Sequence, residues 1–188
     1  MPLRYTLLRC WPLTATIILS ACGTTRPSRD ALFVQKVMSS RDSTLHYQLP
    51  VNWVDATADA PASDNLIWLI RPDFTAMLTV REVRIDDVTR REIAARGLER
   101  LGDLLLSLAS SESGVQVSEK PAREEVKGMP ACSYAYIAGH PRDYVHVILV
   151  DSGRKIYEVS VRTTGVQAER ISDGVVALQK AFVERMRW

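Results

Sequence analysis

The chain has 188 residues, of which 46 % are apolar and 24 % charged, with 24 Lys and Arg against 22 Asp and Glu. This average composition excludes collagen-like, disordered and multi-span membrane proteins. The length suits one domain with its own core rather than two. Two of the basic residues, Arg4 and Arg9, lie in the first 21 positions, which carry no acid. The remainder is neutral and lacks the clustered Lys and Arg that nucleic-acid binding requires, so no nucleic-acid partner is expected.

The first 21 residues have the parts of a secretion signal. Two arginines precede a mostly apolar stretch from Cys10 to Leu19, which is too short for a permanent transmembrane helix. The stretch closes with Leu19-Ser20-Ala21-Cys22, which resembles the lipobox of bacterial lipoproteins. The resemblance implies a signal peptide over residues 1–21, cleavage before Cys22, a diacylglycerol thioether on Cys22 and acylation of its freed amine. The alternative is an ordinary signal peptide with a chance cysteine.

The residue after the cysteine indicates which membrane holds the lipid anchor. In lipoproteins of this kind an aspartate there tends to hold the protein at the inner membrane, and this chain has Gly23. The resemblance therefore implies a lipid anchor in the outer membrane, with the protein facing the periplasm, and makes the inner membrane the second choice. Two or three acyl chains anchor stably, because each buried methylene contributes about 0.8 kcal/mol.

Cys132 is the one thiol that remains once Cys10 leaves with the signal and Cys22 carries lipid. An intramolecular disulfide is therefore excluded. Cys132 alternates with Tyr134 and Tyr136 in a predicted strand, which favours a small buried apolar residue. The alternative, a nucleophilic or redox thiol, needs a neighbouring base, and His140 is the nearby candidate.

Residues 22–43 are predicted to be the lipid anchor and a tether, and residues 44–188 a single domain. The tether is rich in Thr, Arg, Pro and Ser, and about twenty flexible residues reach roughly 25 Å. An apolar patch at 31–38 interrupts it, and the sequence leaves open whether this patch is a short helix or a strand.

The domain begins with strand patterns. Leu45, Tyr47 and Leu49 alternate with polar residues before Pro50, and two further strands are predicted at Leu66 to Ile70 and Met77 to Ile85. The strand at Leu66 to Ile70 is apolar on both faces, which predicts layers on both sides of the sheet.

The second half adds helices and more strands. The spacing of apolar residues predicts one long amphipathic helix from Thr89 to Ala109, with Thr89 and Glu92 as its capping box and with Gly97 and Gly102 weakening it by about 1 kcal/mol each. A short strand over Val115 to Lys120 follows, and Pro121 to Gly128 is either a loop or a ragged edge strand. Three antiparallel strands and a closing helix complete the pattern, at Ala131 to Ala138, Tyr144 to Val150, Ile156 to Thr163 and Val166 to Arg187.

This order predicts an α+β fold, with a mostly antiparallel sheet of about six strands flanked by two long amphipathic helices. Together with the start Leu45-x-Tyr47-x-Leu49-Pro50-x-x-Trp53, it resembles the Mog1/PsbP-like α/β/α sandwich over Thr44 to Trp188. The resemblance implies a small binding or assembly-support module without shared catalytic residues.

The segment Ile148 to Gly153 resembles the signature of retropepsin-like aspartic proteases. Such enzymes need two aspartates that share one proton, and the chain has no second copy of the segment. In those enzymes a small residue follows the glycine of a tight active-site loop, whereas Arg154 and Lys155 follow Gly153 in this chain. The alternative is a hairpin turn with Gly153 at positive φ, which we favour.

Other chemical motifs are absent from the sequence. No Gly-x-Ser-x-Gly occurs, and His46, His140 and His146 lack ligand-like spacing with cysteine or carboxylate, so no catalytic residue, metal or cofactor is predicted. His146 is expected to be a polar strand residue rather than a ligand. The arginines at 90, 91, 96 and 100 are expected to form a solvated helix face. Trp53 and Trp188 are either buried closures of the sheet, which we favour, or exposed anchors for a partner.

The sequence thus predicts a lipid-anchored envelope protein whose periplasmic domain is a non-catalytic binding or assembly module. Its expected partners are the membrane, through Cys22, and an envelope protein. The alternative is a periplasmic hydrolase or small-ligand carrier that uses a groove between a helix and the sheet.

Overall fold

A computed structural model describes residues 32–59, 64–111, 114–139, 142–164 and 168–188, and the side chains of 168–172 are not among those described. The predicted signal peptide, Cys22 and the first ten residues of the predicted anchor and tether lie outside these ranges. Within them, no helix is long and apolar enough to cross a membrane.

Among the described residues, seven antiparallel strands form the main sheet, and a separate hairpin of two strands packs near it. The hairpin consists of β1 (Phe33–Ser39) and β2 (His46–Pro50). The sheet strands are β3 (Val54–Asp55), β4 (Asn65–Ile70), β5 (Ala76–Val83), β6 (Gln116–Val126), β7 (Met129–Ala138), β8 (Asp143–Asp151) and β9 (Ile156–Thr163). Their order across the sheet is β3-β4-β5-β9-β8-β7-β6. The helices are α1 (Asp87–Arg96), α2 (Glu99–Ser110) and α3 (Ala168–Arg185).

The predicted fold class is correct, and the strand count of about six was low. β3 has two residues, too few for a sequence pattern. β6 continues through the charged segment after Pro121, because pairing with β7 satisfies one side of its backbone while most of its side chains face solvent. Its pairing shifts register between Glu119 and Ala122, which accommodates Pro121 at the sheet edge. Of the two alternatives for this segment, the ragged edge strand is the correct one.

The prediction of two long helices was wrong, because the chain breaks the first one at Gly97. Gly97 has φ +90°, a conformation that side chains rarely adopt. The break turns the second half, α2, onto the sheet. The predicted capping box was also wrong: the cap is Asp86, whose carboxylate accepts from the backbone N–H of Thr89 at 2.8 Å.

The apolar patch at 31–38 is mostly a strand. β1 pairs antiparallel with β2 from Phe33 opposite Pro50 to Ser39 opposite His46. Phe33 is buried, and the guanidinium of Arg185 lies 5.0 Å from the centre of its ring. The folded body therefore includes β1, which was predicted as part of the tether.

Both faces of the sheet are covered, as the apolar pattern of β4 predicted. On one face α3 and the β1–β2 hairpin enclose a core that contains Tyr47, Ile148 and Phe182. On the other face α1 and α2 enclose a second core that contains Leu101, Cys132 and Val147. Alternate residues of each central strand contribute to the two cores.

The sheet has two ends with different loops, and we name each by a residue. At the Leu32 end lie the start of β1, the end of β2, the β4–β5 turn and the end of β9. At the Trp188 end lie the β6–β7 turn, the β8–β9 turn and the end of α3. The eight residues of β9 connect them, which separates the ends by roughly 26 Å at about 3.3 Å per residue.

Candidate binding surface

An open groove of about 730 Å³ lies at the Trp188 end. Its apolar lining comes from Met129, Tyr157, Met186 and Trp188. The Trp188 ring packs on Tyr157 with 5.2 Å between ring centres. Four basic side chains also line the groove: Lys127, Arg154, Lys155 and Arg187. The groove, which we call the Trp188 groove, thus combines an aromatic wall with cations.

Two tight turns and one backbone bridge position these side chains. Lys127 and Gly128 both have positive φ between the paired residues Val126 and Met129, which is the geometry of a type I′ hairpin turn. Gly153 has φ +82° in the turn that carries Arg154. Arg187 follows α3 and exchanges two backbone hydrogen bonds with His46, at 3.0 and 2.9 Å.

The basic side chains differ in their partners. Lys127 Nζ donates to the carbonyl of Met186 at 2.9 Å, near the C-terminal end of α3. Lys155 Nζ lies 2.6 Å from Glu82 Oε2, and this hydrogen bond raises the pKa of Lys155. Arg154 and Arg187 are exposed and have no ion pair among the described residues.

The indole of Trp188 lies at the wall of this groove. Its Nε1 atom is buried and has no hydrogen-bond partner in the described part of the chain. The groove therefore offers the guanidinium groups of Arg154 and Arg187 as exposed donors. Carboxylate, phosphate or sulfate groups are the acceptors that such a set favours.

The structure confirms the hairpin interpretation of Asp151 to Gly153. The Asp151 carboxylate accepts from the backbone N–H of Gly153 at 2.8 Å, and the backbone N–H of Ser152 donates to the carbonyl of Lys155 at 3.0 Å. Asp151 thus stabilises a turn.

Cys132 and His146 lie on opposite faces of the sheet. Cys132 is fully buried beneath α2, and burial, followed by the nearby Glu99 carboxylate, raises the pKa of its thiol to about 12. A thiol with that pKa is a poor nucleophile near neutral pH. His140, the base considered for Cys132 from the sequence, lies outside the described residues.

His146 is buried on the α3 side with Gln179. Its Nδ1 lies 2.7 Å from Gln179 Oε1, and Gln179 Nε2 donates to the carbonyls of His146 and Val159 at 3.2 and 2.7 Å. Burial lowers the pKa of His146, which favours its neutral form. No group of three His, Cys, Asp or Glu side chains within the described ranges is arranged to hold a metal.

The two tryptophans considered from the sequence have different surroundings. Trp53 is buried in the α3-side core, as we favoured. Trp188 is partly buried against Tyr157 and also lines the groove. Sequence analysis missed this groove because its residues come from four distant segments; adjacent Arg154 and Lys155 were the one local signal.

No protein-family model matches the chain, and no curated protein shows significant sequence similarity to it. Solved structures do match. The Ran-binding protein Mog1p of Saccharomyces cerevisiae is 12 % identical, covers 82 % of this chain and 95 % of its own, and has a TM-score of 0.52. Cyanobacterial PsbP (CyanoP) from Synechocystis is 14 % identical, covers 90 % and 98 %, and has a TM-score of 0.53. The chain has the Mog1/PsbP-like fold.

A bacterial structure belongs to the same set. LpqN, described as involved in cell envelope biogenesis of Mycobacterium tuberculosis, is 11 % identical, covers 84 % of this chain and 92 % of its own, and has a TM-score of 0.51. These matches extend over most of every chain, so the Mog1/PsbP-like fold accounts for the whole domain rather than for one motif. At such identities the likeness concerns the fold alone.

Proposed function

We propose that this protein is a lipid-anchored lipoprotein of the bacterial envelope, whose Mog1/PsbP-like domain binds an acidic segment of an envelope protein in the Trp188 groove. The observation that carries the proposal is the groove itself. Two exposed arginines without an ion pair line it beside an aromatic wall, among the described residues. Carboxylate side chains of a partner would pair with these two guanidinium groups, and a partner side chain could pack on Trp188.

The positions of the reactive side chains support binding rather than catalysis. Asp151 stabilises a turn, Ser133 donates to Glu124 at 2.8 Å, and Cys132 is buried with a raised pKa. A nucleophile needs a base within hydrogen-bond reach and an open position for substrate. Each of these groups is instead engaged in structural contacts.

The anchor and the envelope location rest on the lipobox at 19–22, with Gly23 favouring the outer membrane. Two proteins with the same fold have descriptions that fit this proposal. LpqN is described as involved in cell envelope biogenesis, and Mog1p as a Ran-binding protein. They support an envelope role and a protein-binding role for this fold.

A small-ligand carrier is the second candidate. A groove of about 510 Å³ lies between α3 and the loops at the Leu32 end, with Trp53, Val175 and Leu178 in its mostly apolar lining. This groove is where an apolar ligand would bind if the domain carried one.

The groove proposal is tested by charge reversal in a strain that lacks the gene. We expect Arg154→Glu with Arg187→Glu to abolish complementation, because the partner's carboxylates would then face like charges. Both side chains are exposed, so the change in free energy of unfolding should stay within about 0.5 kcal/mol each. The matched control, Arg90→Glu with Arg96→Glu on α1, should complement fully. Full complementation by the groove variant would contradict the proposal.

The anchor is tested separately by metabolic labelling with a clickable fatty acid. The wild type should be labelled and Cys22→Ser should not. A domain released by a cleavable signal peptide should also lose function, because anchoring raises its concentration near an envelope partner. Equal labelling of both proteins would remove the argument for the envelope location.

A further inference from the structure

Phe74 is the most exposed large apolar side chain of the described residues, with 73 % of its surface accessible. It lies in the turn between β4 and β5 and has φ +56°. A bulky residue seldom adopts this left-handed conformation, which glycine or asparagine tolerates far better. The turn therefore keeps an exposed phenyl ring at a position where glycine or asparagine would adopt the backbone conformation with less strain.

Hydrogen bonds fix the turn around this ring. The backbone N–H of Phe74 donates to the carbonyl of Arg71 at 2.8 Å, and its carbonyl accepts from Thr164 Oγ1 at 2.9 Å. The Asp73 carboxylate accepts from the N–H and hydroxyl of Thr75 and from the Arg71 guanidinium. The phenyl ring is thus presented by a rigid turn.

Two exposed valines lie beside the same turn. Val51 is 43 % and Val54 is 51 % exposed. Val54 pairs with Ile70, the residue before the turn, and the segment Val51 to Trp53 lines a cleft with Arg71 to Asp73. Val51, Val54 and Phe74 thus lie in neighbouring loops and strand ends at the Leu32 end, and we call these three residues the apolar tip.

The chain joins the folded body next to this surface. The carbonyl of Leu32 accepts from the backbone N–H of Val51 at 2.9 Å, and Leu32 lines one groove with Trp53 and Arg71. Leu32 is ten positions after Cys22 in the sequence. Fully extended, these ten steps reach at most about 36 Å. Because the chain enters the folded body at the Leu32 end, the apolar tip is the part that a lipid anchor at Cys22 would hold on the shortest tether.

We propose that the apolar tip docks on the membrane surface, with Phe74 entering the interface between lipid headgroups and acyl chains. This inference rests on the proposed anchor at Cys22. The charges flanking the ring favour lipid over a charged protein segment, because Arg71 and Asp73 neutralise each other at 2.6 Å. A lipid anchor and an inserted aromatic ring act together, since one weak membrane contact alone is reversible.

The docked orientation would also leave the Trp188 groove accessible to a partner. The groove lies at the opposite end of β9, roughly 26 Å away along the eight residues of that strand. A domain that stands on its apolar tip therefore presents the groove away from the membrane and toward a partner.

The test uses the full-length lipidated protein in vesicles of phosphatidylethanolamine and phosphatidylglycerol. Phe74→Trp and, as a second probe of the same surface, Val54→Trp add a fluorophore at the tip. Val88→Trp, on the exposed start of α1 at the other end, is the matched control. The wild-type signal is subtracted, and each variant must unfold at the wild-type temperature.

Lipids brominated in the acyl chain should quench roughly half of the fluorescence added at 74 or 54, and little of that added at 88. Equal quenching at all three positions, or none at the tip, would overturn the proposal. Tip fluorescence that ignores brominated lipid but changes with protein density would assign the tip to a second copy of the chain. Flotation of the vesicles and the mass of the Cys22 peptide are measured on the same samples, so loss of the anchor is distinguished from failure of docking.

Discussion

The Nδ1 atom of His146 lies 2.7 Å from the Oε1 atom of Gln179, between the sheet and α3, where both side chains are buried. The two carbonyls that face the Gln179 amide nitrogen accept hydrogen bonds and cannot donate them. Gln179 therefore presents its oxygen to His146, and Nδ1 carries the proton of the neutral imidazole. One glutamine thus fixes a histidine tautomer and links α3 to β8 and β9.

Replacing Gln179 with leucine should lower the free energy of unfolding by about 1–3 kcal/mol, because the buried N–H of His146 loses its acceptor. Urea unfolding followed by circular dichroism measures this difference. Gln35→Leu, at an exposed position of β1, should change the value by less than about 0.5 kcal/mol. Equal values for the wild type and Gln179→Leu would show that the hydrogen bond adds no net stability.

The stability of the protein should depend on pH through His146. Burial lowers the pKa of this histidine in the folded protein, although Gln179 and the carboxylates of Glu119 and Glu124 oppose the shift. An unfolded histidine titrates near about 6.5, so the unfolded chain takes up the proton first as the pH falls. The contribution of His146 is therefore fully present above about pH 6.5 and is lost as the pH drops toward the lowered pKa of the folded state.

The urea midpoint of the wild type, measured from about pH 7.5 down to about pH 5, should fall across this window. The fall should be smaller in His146→Gln, which has no titrating group at this site. His46→Gln, on the exposed side of β2, is the control for removal of a histidine elsewhere in the protein. Identical slopes for all three proteins would contradict the assignment to His146.

Replacing each of two helix-interior glycines with alanine should change the stability of the protein in opposite directions. A Cβ atom at Gly102 in α2 would lie 3.0 Å from Cys132 Sγ and 3.0 Å from Pro121 Cβ, whereas one at Gly174 in α3 would meet no heavy atom within 4 Å. Gly102→Ala should destabilise by about 1–3 kcal/mol, because overpacking outweighs the gain in helix propensity. Gly174→Ala should stabilise by about 0.5–1 kcal/mol. Thermal unfolding of the two variants checks the pair, and a stabilised Gly102→Ala would show that α2 can move off the sheet.

Cys132 should react slowly with a thiol reagent in the native protein. Because it is fully buried, the reagent does not reach it, and because its pKa is raised to about 12, almost none of it is thiolate near neutral pH. In a soluble protein that starts near Arg26, labelling should be at least about a hundredfold slower than in the same protein unfolded in urea. Thr44→Cys, at an exposed turn, is the matched control and should be labelled rapidly under native conditions. Fast native labelling of Cys132 would revive a reactive-thiol role.

Local patterns in the sequence determined the kinds of elements and the fold class. The short apolar runs of β7, β8 and β9, bounded by turn residues, predicted these strands to within two residues of each end. All three strands are buried on both faces of the sheet, which is why the runs are nearly continuous. The four-and-three spacing of apolar residues identified α3 and the helical character of residues 87–110. The turn at Gly153 was also predictable, since it depends on residues that are neighbours in the chain.

Contacts between distant segments decided the rest. Whether residues 33–39 form a helix or a strand depends on pairing with β2, and the break at Gly97 depends on how α2 packs over Pro121 and Cys132. The inward orientation of His146 depends on Gln179, 33 positions away. The Trp188 groove and the apolar tip unite loops that are far apart in sequence, since the ends of a sheet collect turns from every strand. No local periodicity records such proximity, so both surfaces emerge from the tertiary structure alone.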